Sequence, residues 1–198
     1  MRVHRALRVT TLASAVNFVL AFASAILVAR LLTPSEIGVY SIAVSLIGFA
    51  QVLRDFGVGQ YIVQLKTVDR DDLRACMTVT MLSAWSVALV LLVIAPFGAT
   101  FYRQPEMADV FRVSALSVAV LPLGSHILSM LKRDMQFGRL AVIQIVSGLI
   151  ATGTTLFLAW TGQGPLSMAW GSLVGNVANV VLLSVLRPSL ALMLPTRH

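Results

Sequence analysis

ARLLTPSEIGVYSIAVSLIGFAQVLRDFGVGQYIVQ, residues 29–64, is the stretch that decides the fold. It contains a helix start signal: Thr33 can cap free backbone N–H groups, Pro34 fits the first helical position, and Glu36 lies in the positively charged first turn. An apolar run follows directly. The stretch therefore predicts that a chain reversal ends at Thr33 and that a long apolar helix begins there.

Charge limits how long this helix can be. The next charged residue after Glu36 is Arg54, so the uncharged run 37–53 gives about 25 Å of helix at about 1.5 Å per residue. That length crosses a bilayer only if the helix continues through Arg54 and Asp55 to residue 63. Charges inside a membrane are costly and usually face a protein interior or a wet cavity, so a functional site is expected here.

Composition places the whole chain in a membrane. Of its 198 residues, 58% are hydrophobic and 12% are charged, whereas soluble domains carry about 25% charged residues. The net charge of +7 comes from basic residues dispersed over short loops, which favours membrane topology over nucleic-acid binding. The single cysteine, Cys76, excludes an intramolecular disulfide and any metal site built from several cysteines.

Six membrane spans follow from the long apolar stretches, and they predict one all-α integral membrane bundle over residues 1–198. The first run, Val9–Ala29, is longer than the apolar core of a signal peptide and is interpreted as an uncleaved first helix. The predicted spans are residues 9–29, 36–63, 77–100, 110–131, 140–160 and 166–186.

The basic residues predict the orientation. Eleven of them fall on the side of the N-terminus: Arg2, Arg5, Arg8, Lys66, Arg70, Arg74, Lys132, Arg133, Arg139, Arg187 and Arg197. The other side holds three, Arg30, Arg103 and Arg112. Because basic residues accumulate in cytoplasmic loops, both termini are expected to be cytoplasmic.

Small residues mark candidate packing seams. One is a four-residue repeat in the first helix: Ala13, Asn17, Ala21, Ala25 and Ala29. The last helix carries Gly171 and Gly175 in a GxxxG pattern. Such stripes let helix backbones approach closely, either within the bundle or against a second copy or second half.

Pro96 and Pro122 are expected to kink their helices.

The polar face of the second helix is the candidate binding site. Gln51 lies three and four positions before Arg54 and Asp55, so it shares a face with both. In a structural interpretation, Arg54 extends to the membrane interface and Asp55 pairs with a neighbour. In a functional interpretation, Arg54 lines an aqueous cavity and attracts a diphosphate or acidic sugar, and Asp55 or Gln51 holds the Arg54 side chain in position. Asn17 and Gln144 add polar contacts if their helices face the same cavity.

Catalytic chemistry is not expected. The sequence contains no GxSxG, HExxH or glycine-rich phosphate loop, and its three histidines, His4, His126 and His198, are scattered. We therefore expect neither an enzyme nor a bound metal or cofactor.

Two motifs carry a family resemblance. RLLTP at residues 30–34 is followed by Gly38, by DFGVG at 55–59 and by Gln64, and LKRDMQFGRLA occupies residues 131–141. In this order they resemble the polysaccharide transporters, the lipid-linked oligosaccharide flippases of the multidrug/oligosaccharidyl-lipid/polysaccharide exporter superfamily.

The resemblance implies a bacterial plasma-membrane protein of lipopolysaccharide or exopolysaccharide export. Such proteins move undecaprenyl-diphosphate-linked glycans to the periplasmic leaflet by alternating access, using two similar lobes around a cleft. Six spans correspond to the N-terminal lobe, so the chain is expected to be a truncated product, a homodimer, or one half that pairs with a separate partner. The alternative hypothesis is a non-transporting scaffold that binds polysaccharide-assembly proteins through basic loop residues such as Lys132, Arg133 and Arg139.

Overall fold

The computed structural model describes residues 2–54 and 70–186. Residues 1, 55–69 and 187–198 lie outside the described residues. Several side chains inside helices also lie outside them, including those of residues 49–54 and 70–76. The described backbone forms seven helices. They are α1 (Arg2–Leu31), α2 (Pro34–Arg54), α3 (Arg70–Tyr102), α4 (Glu106–Val120), α5 (Pro122–Arg133), α6 (Phe137–Trp160) and α7 (Leu166–Leu186).

Four helices carry segments that are long and apolar enough to cross a membrane: Ser14–Leu31, Met77–Tyr102, Phe137–Trp160 and Leu166–Leu186. The bent pair α4 and α5 is a fifth if it counts as one span. The all-helical membrane architecture is therefore confirmed over the described residues. The predicted span 36–63 begins in α2 and continues beyond the described residues. The sixth span and the cytoplasmic location of both termini therefore stay predictions.

α2 begins with the cap that was predicted at Thr33 and Glu36. The backbone N–H and the hydroxyl of Thr33 donate to Oε2 of Glu36 at 2.6 and 2.7 Å. In return, the backbone N–H of Glu36 donates to Oγ1 of Thr33 at 3.4 Å. This reciprocal arrangement satisfies backbone donors that a helix start leaves without partners, and it fixes where α2 begins.

Replacing Thr33 by alanine should therefore destabilise the protein by about 1 kcal/mol, the usual cost of losing a helix cap. Thermal unfolding of the purified protein in detergent measures the effect. Ser35→Ala, in the same exposed turn, is the matched control because no described hydrogen bond of the cap involves the Ser35 side chain. Equal stability of the two variants would contradict a stabilising role for the cap.

α4 lies at the centre of the bundle. It packs against α2, α3 and α7, and eight of its fifteen residues are buried, while Asp109, Arg112 and Leu116 form an exposed stripe. Phe111 and Met107 are fully enclosed there, alongside Ala84, Ala88 and Ala95 of α3. Small alanines on α3 allow the two helices to approach closely, and the large α4 side chains fill the space between them.

Two further clusters close the ends of the bundle. Near the α5–α6 turn, Ile127 and Leu131 of α5 pack with Leu140 of α6 and Leu183 of α7. At the opposite end, which we call the Thr33 end, Val28, Leu32 and Ala159 form a cluster that joins α1 to α6.

A proline separates α4 from α5. Pro122 is buried and opens α5, and the axes of the two helices differ by 44°. The predicted kink is confirmed here, because proline has no N–H to continue the helical ladder and its ring clashes with the preceding turn. Pro96, in contrast, lies inside α3, which continues to Tyr102.

The GxxxG pattern packs inside the bundle. A Cβ on Gly171 would lie 2.9 Å from the carbonyl oxygen of Ala151 and would overlap Oγ1 of Thr155, and a Cβ on Gly175 would lie 2.6 Å from Cβ of Ala151. The close helix packing predicted at Gly171 and Gly175 is therefore confirmed, and it forms the contact between α6 and α7.

The stripe predicted on α1 is wrong for packing within the bundle. Ala21, Ala25 and Ala29 are exposed, whereas half-buried or buried side chains follow a different line on the α6 side: Asn17, Leu20, Ser24 and Val28. Leu20, Ser24 and Val28 have the same four-residue spacing as the alanines and lie about 100° away around the helix, so the spacing alone does not select the contact face.

Candidate functional site

The predicted site lies at the end of α2 that is remote from Thr33. Gln51 and Arg54 belong to the last turn of that helix, and their side chains lie outside the described residues, as does the whole of Asp55. Asn17 is half-buried on the α6 side of α1, and Gln144 is exposed on α6. The described side chains therefore do not test whether these residues share one site.

The structure describes the part of α2 that leads to this predicted site. Ser41, Val44, Ser45 and Gly48 are all exposed, and a Cβ added at Gly48 would meet no described atom beyond its own helix within 4 Å. We call these four residues the open face of α2. Position 51 follows Val44 by seven residues and Gly48 by three, so the helical repeat places it on the same side.

The open face differs chemically from the other exposed surfaces of the bundle. α1 exposes Phe18, Val19 and Phe22, and α3 exposes Leu89 and Phe97, each by more than half of its accessible area. The open face of α2 instead carries two hydroxyls, one valine and a glycine. Small and polar side chains on a membrane helix are typical of contacts with another helix or of water-filled cavities.

The opposite side of α2 holds the helix in place. Val39 and Ala43 are buried in the central cluster, and the hydroxyl of Tyr40 hydrogen-bonds to Oγ of Ser172 on α7. These contacts determine which side of α2 stays uncovered. Sequence reasoning missed the Tyr40–Ser172 pair, because 132 residues separate its members and neither stands in a recognisable motif.

α7 connects three other helices through polar side chains on one stripe. Beyond the bond between Ser172 and Tyr40, Nδ2 of Asn176 donates to Oγ of Ser117 on α4 at 2.8 Å. Nδ2 of Asn179 donates to Oγ of Ser147 on α6 at 3.3 Å. Amides removed from water need such partners, and both asparagines are half-buried in an apolar bundle, so α7 orients α2 relative to α4 and α6.

Acidic side chains gather at the Thr33 end. A Cβ on Gly164, whose φ is +53°, would lie 2.9 Å from Oε1 of Glu36 and 3.7 Å from Oε2 of Glu106. Among the described residues, no three His, Cys, Asp or Glu side chains are grouped in a way that could hold a metal ion. His126 is buried in α5 and belongs to neither of these regions.

Comparison with known proteins identifies the chain. The family described as polysaccharide biosynthesis protein matches residues 27–195. The chain belongs to this family. This confirms the resemblance to the polysaccharide transporters that the RLLTP and DFGVG motifs suggested, and the matched segment includes every described helix from α2 to α7.

The curated proteins that this chain resembles are distant from it in sequence. An uncharacterized membrane protein in the cps region of Klebsiella pneumoniae is 23% identical over 175 residues, 88% of this chain and 36% of that protein. The succinoglycan biosynthesis transport protein ExoT of Rhizobium meliloti is 26% identical over 148 residues, 75% of this chain and 30% of its own.

The lipopolysaccharide biosynthesis protein WzxC of Escherichia coli is 19% identical over 158 residues, 80% of this chain and 31% of that protein. The chain thus spans about a third of the length of these curated relatives. No solved structure matches it. The apolar helices and these relatives together establish a multi-pass membrane protein of polysaccharide biosynthesis.

Proposed function

We propose that the protein takes part in flipping lipid-linked polysaccharide precursors across the bacterial inner membrane, with the bundle acting as one lobe of a two-lobed transporter. The observation that carries this proposal is the open face of α2. It runs from Ser41 to Gly48 and on towards the turn that contains Gln51, and it offers small side chains where a lipid-facing helix would expose large apolar ones.

Arg54 is proposed to recognise the diphosphate of an undecaprenyl-diphosphate-linked glycan. A guanidinium presents planar paired donors that match phosphate oxygens, and its charge does not titrate at physiological pH. Gln51 and Asp55 are proposed to hold that guanidinium in position, and Asn17 is proposed to contribute a polar contact from α1. The cost of placing these charges at membrane depth is reduced if they line a wet cavity.

A single lobe provides one wall of such a cavity. The second wall is proposed to come from another lobe, either in a second copy of this chain or in a partner chain of similar helical content. Six spans with both termini in the cytoplasm are proposed for the lobe, in agreement with the asymmetry of its basic residues. The name of ExoT, a succinoglycan biosynthesis transport protein, supports export as the role.

Native mass spectrometry of the protein, purified from its own host in nanodiscs, tests the two-lobed arrangement. We expect a stable dimer or a one-to-one complex with another multi-span chain, because the open face of α2 otherwise meets lipid. Recovery of monomer alone would contradict the proposed cavity. Copurification of a glycosyltransferase that is lost when Lys132, Arg133 and Arg139 are neutralised, without a second lobe, would instead favour the scaffold hypothesis.

A further inference from the structure

A cleft of about 410 Å³ lies between α2, α3 and α4, towards the Thr33 end of the bundle. Its α2 wall includes Ser41 and Ser45, its α3 wall includes Ile94 and Tyr102, and Phe111 of α4 lies at its base. Ligand-binding cavities of this size are common in proteins and are usually lined by apolar side chains. The cleft shares Ser41 and Ser45 with the open face of α2, and its α3 and α4 walls belong to no site described so far.

The base of the cleft depends on a glycine. A Cβ on Gly98 would lie 2.8 Å from Cε2 of Phe111, whose ring is 1% exposed and has no room to move. Because Gly98 has no side chain, α3 comes into contact with the face of the bundle formed by Phe111. The base is therefore formed by an aromatic ring and bare helix backbone, both rigidly held by the central core.

The two serine hydroxyls of the lining are already engaged as donors. The hydroxyl of Ser41 donates to the carbonyl oxygen of Ile37, and that of Ser45 donates to the carbonyl oxygen of Ser41, each at 2.8 Å. A sugar or a phosphate would leave most of its own hydrogen bonds unmade against such a lining, at a cost of kilocalories per buried group. A hydrocarbon loses nothing there, so the chemistry of the cleft selects an apolar occupant.

The position of the cleft identifies the source of that occupant. Ile94 and Tyr102 belong to the apolar span Met77–Tyr102, and neighbouring side chains on the same helix, Val93 and Phe97, are exposed like other lipid-facing residues. Tyr102 ends the span, where tyrosines commonly mark the boundary between membrane and water. The cleft is therefore continuous with the lipid-facing surface of α3 and opens onto bilayer hydrocarbon.

We propose that the cleft binds one acyl chain of a membrane phospholipid, inserted between α2 and α3 with the headgroup near Tyr102. The volume suits a single acyl chain and is small for the tail of a long polyprenyl carrier, which is why the phospholipid is the occupant we commit to. Such a lipid covers the Thr33 end of the open face, at Ser41 and Ser45, and leaves Gly48 and the turn of Gln51 to the proposed transport cavity.

Photocrosslinking in nanodiscs tests it. The probe is a phosphatidylglycerol with a diazirine near the end of one acyl chain, and crosslinked peptides are located by mass spectrometry. We expect labelling to concentrate at residues 41–45 and 94–102 and to exceed labelling of the exposed residues Phe18 and Phe22 of α1. Ser45→Phe fills the cleft and should reduce that labelling several-fold.

Val44→Phe is the matched control, because it adds the same ring to an exposed neighbouring position that does not line the cleft. It should leave the labelling pattern unchanged. Circular dichroism checks that both variants are folded; should Ser45→Phe fail to fold, Ile94→Trp fills the cleft from the opposite wall.

Undiminished labelling in the filled variant, or uniform labelling of all exposed helices, overturns the proposal. Displacement of the probe by a polyprenyl phosphate, or crosslinks between two protein chains through the cleft, overturns it in favour of another occupant.

Discussion

Replacing Gly171 by alanine is expected to destabilise the protein by about 1–3 kcal/mol, the usual range for overpacking a tight core. The added methyl group would overlap Oγ1 of Thr155 and lie 2.9 Å from the carbonyl oxygen of Ala151. The second contact is with backbone, which cannot rotate away. α6 and α7 must then separate, and the hydrogen bond between Asn179 and Ser147 on the same interface should weaken with them.

The measurement is the thermal unfolding midpoint in detergent, where a chain of this size loses about 2–4 °C for each kcal/mol. Gly153→Ala is the matched control on α6, because a Cβ there meets no described atom beyond its own helix within 4 Å. That variant should be as stable as the parent protein or slightly more stable, since alanine is the better helix former. A leucine at Gly171 should prevent accumulation of folded protein altogether.

A double substitution identifies the cause. Thr155→Ala removes the hydroxyl that the new methyl group would strike but leaves the Ala151 carbonyl in place, so it should restore part of the lost stability. If Gly171→Ala unfolds at the parental temperature, the close approach of α6 and α7 described here is wrong. A loss that Thr155→Ala does not reduce would assign the effect to the backbone contact alone.

Replacing Arg54 by alanine is expected to abolish complementation of a strain that lacks its own polysaccharide flippase. In the proposed site its guanidinium makes charge-assisted hydrogen bonds to a diphosphate, each of about 1.5–3 kcal/mol, so losing two of them exceeds a hundredfold in affinity. Arg54→Lys keeps the charge but loses the paired planar donors, and it should retain a minor part of the activity.

Arg112→Ala is the matched control for the loss of one arginine. Arg112 is exposed at the Thr33 end of the bundle, where its Nη1 lies 2.7 Å from Oδ1 of Asp109. Exposed pairs of this kind contribute at most about 1 kcal/mol, and the proposed site does not include this one. The control variant should complement fully, and the membrane abundance and unfolding midpoint of all variants should match. Full complementation by Arg54→Ala would reject Arg54 as a substrate-binding residue.

Local patterns in the sequence predicted local structure correctly. The cap at Thr33 and Glu36 depends on residues three positions apart, and the break at Pro122 depends on a single missing N–H, so neither requires knowledge of the fold. The GxxxG pair indicated a close helix contact but not its partner. Only the packed structure shows that the stripe of Ala151 and Thr155 faces Gly171 and Gly175.

Predictions that depended on which way a helix faces were less successful. The alanines of α1 form a regular repeat, yet Ala21 and Ala25 are exposed, because the line through Asn17, Leu20 and Val28 contacts α6 instead. For the candidate site, charge alone singled out Arg54, Asp55 and Gln51, and these assignments stay predictions since their side chains lie outside the described residues.

The sequence by itself determined that this is an all-helical membrane protein, where helices such as α2 and α7 begin, and to which family it belongs. These properties follow from hydrophobicity, charge and capping, which act over a few neighbouring residues. Only the tertiary structure decided that α4 is the centre of the bundle, that α2 leaves the face of Ser41 and Ser45 open, and that Gly98 and Phe111 form the base of a cleft. Those properties arise from contacts between residues distant in the chain, and their geometry depends on how all the helices pack together.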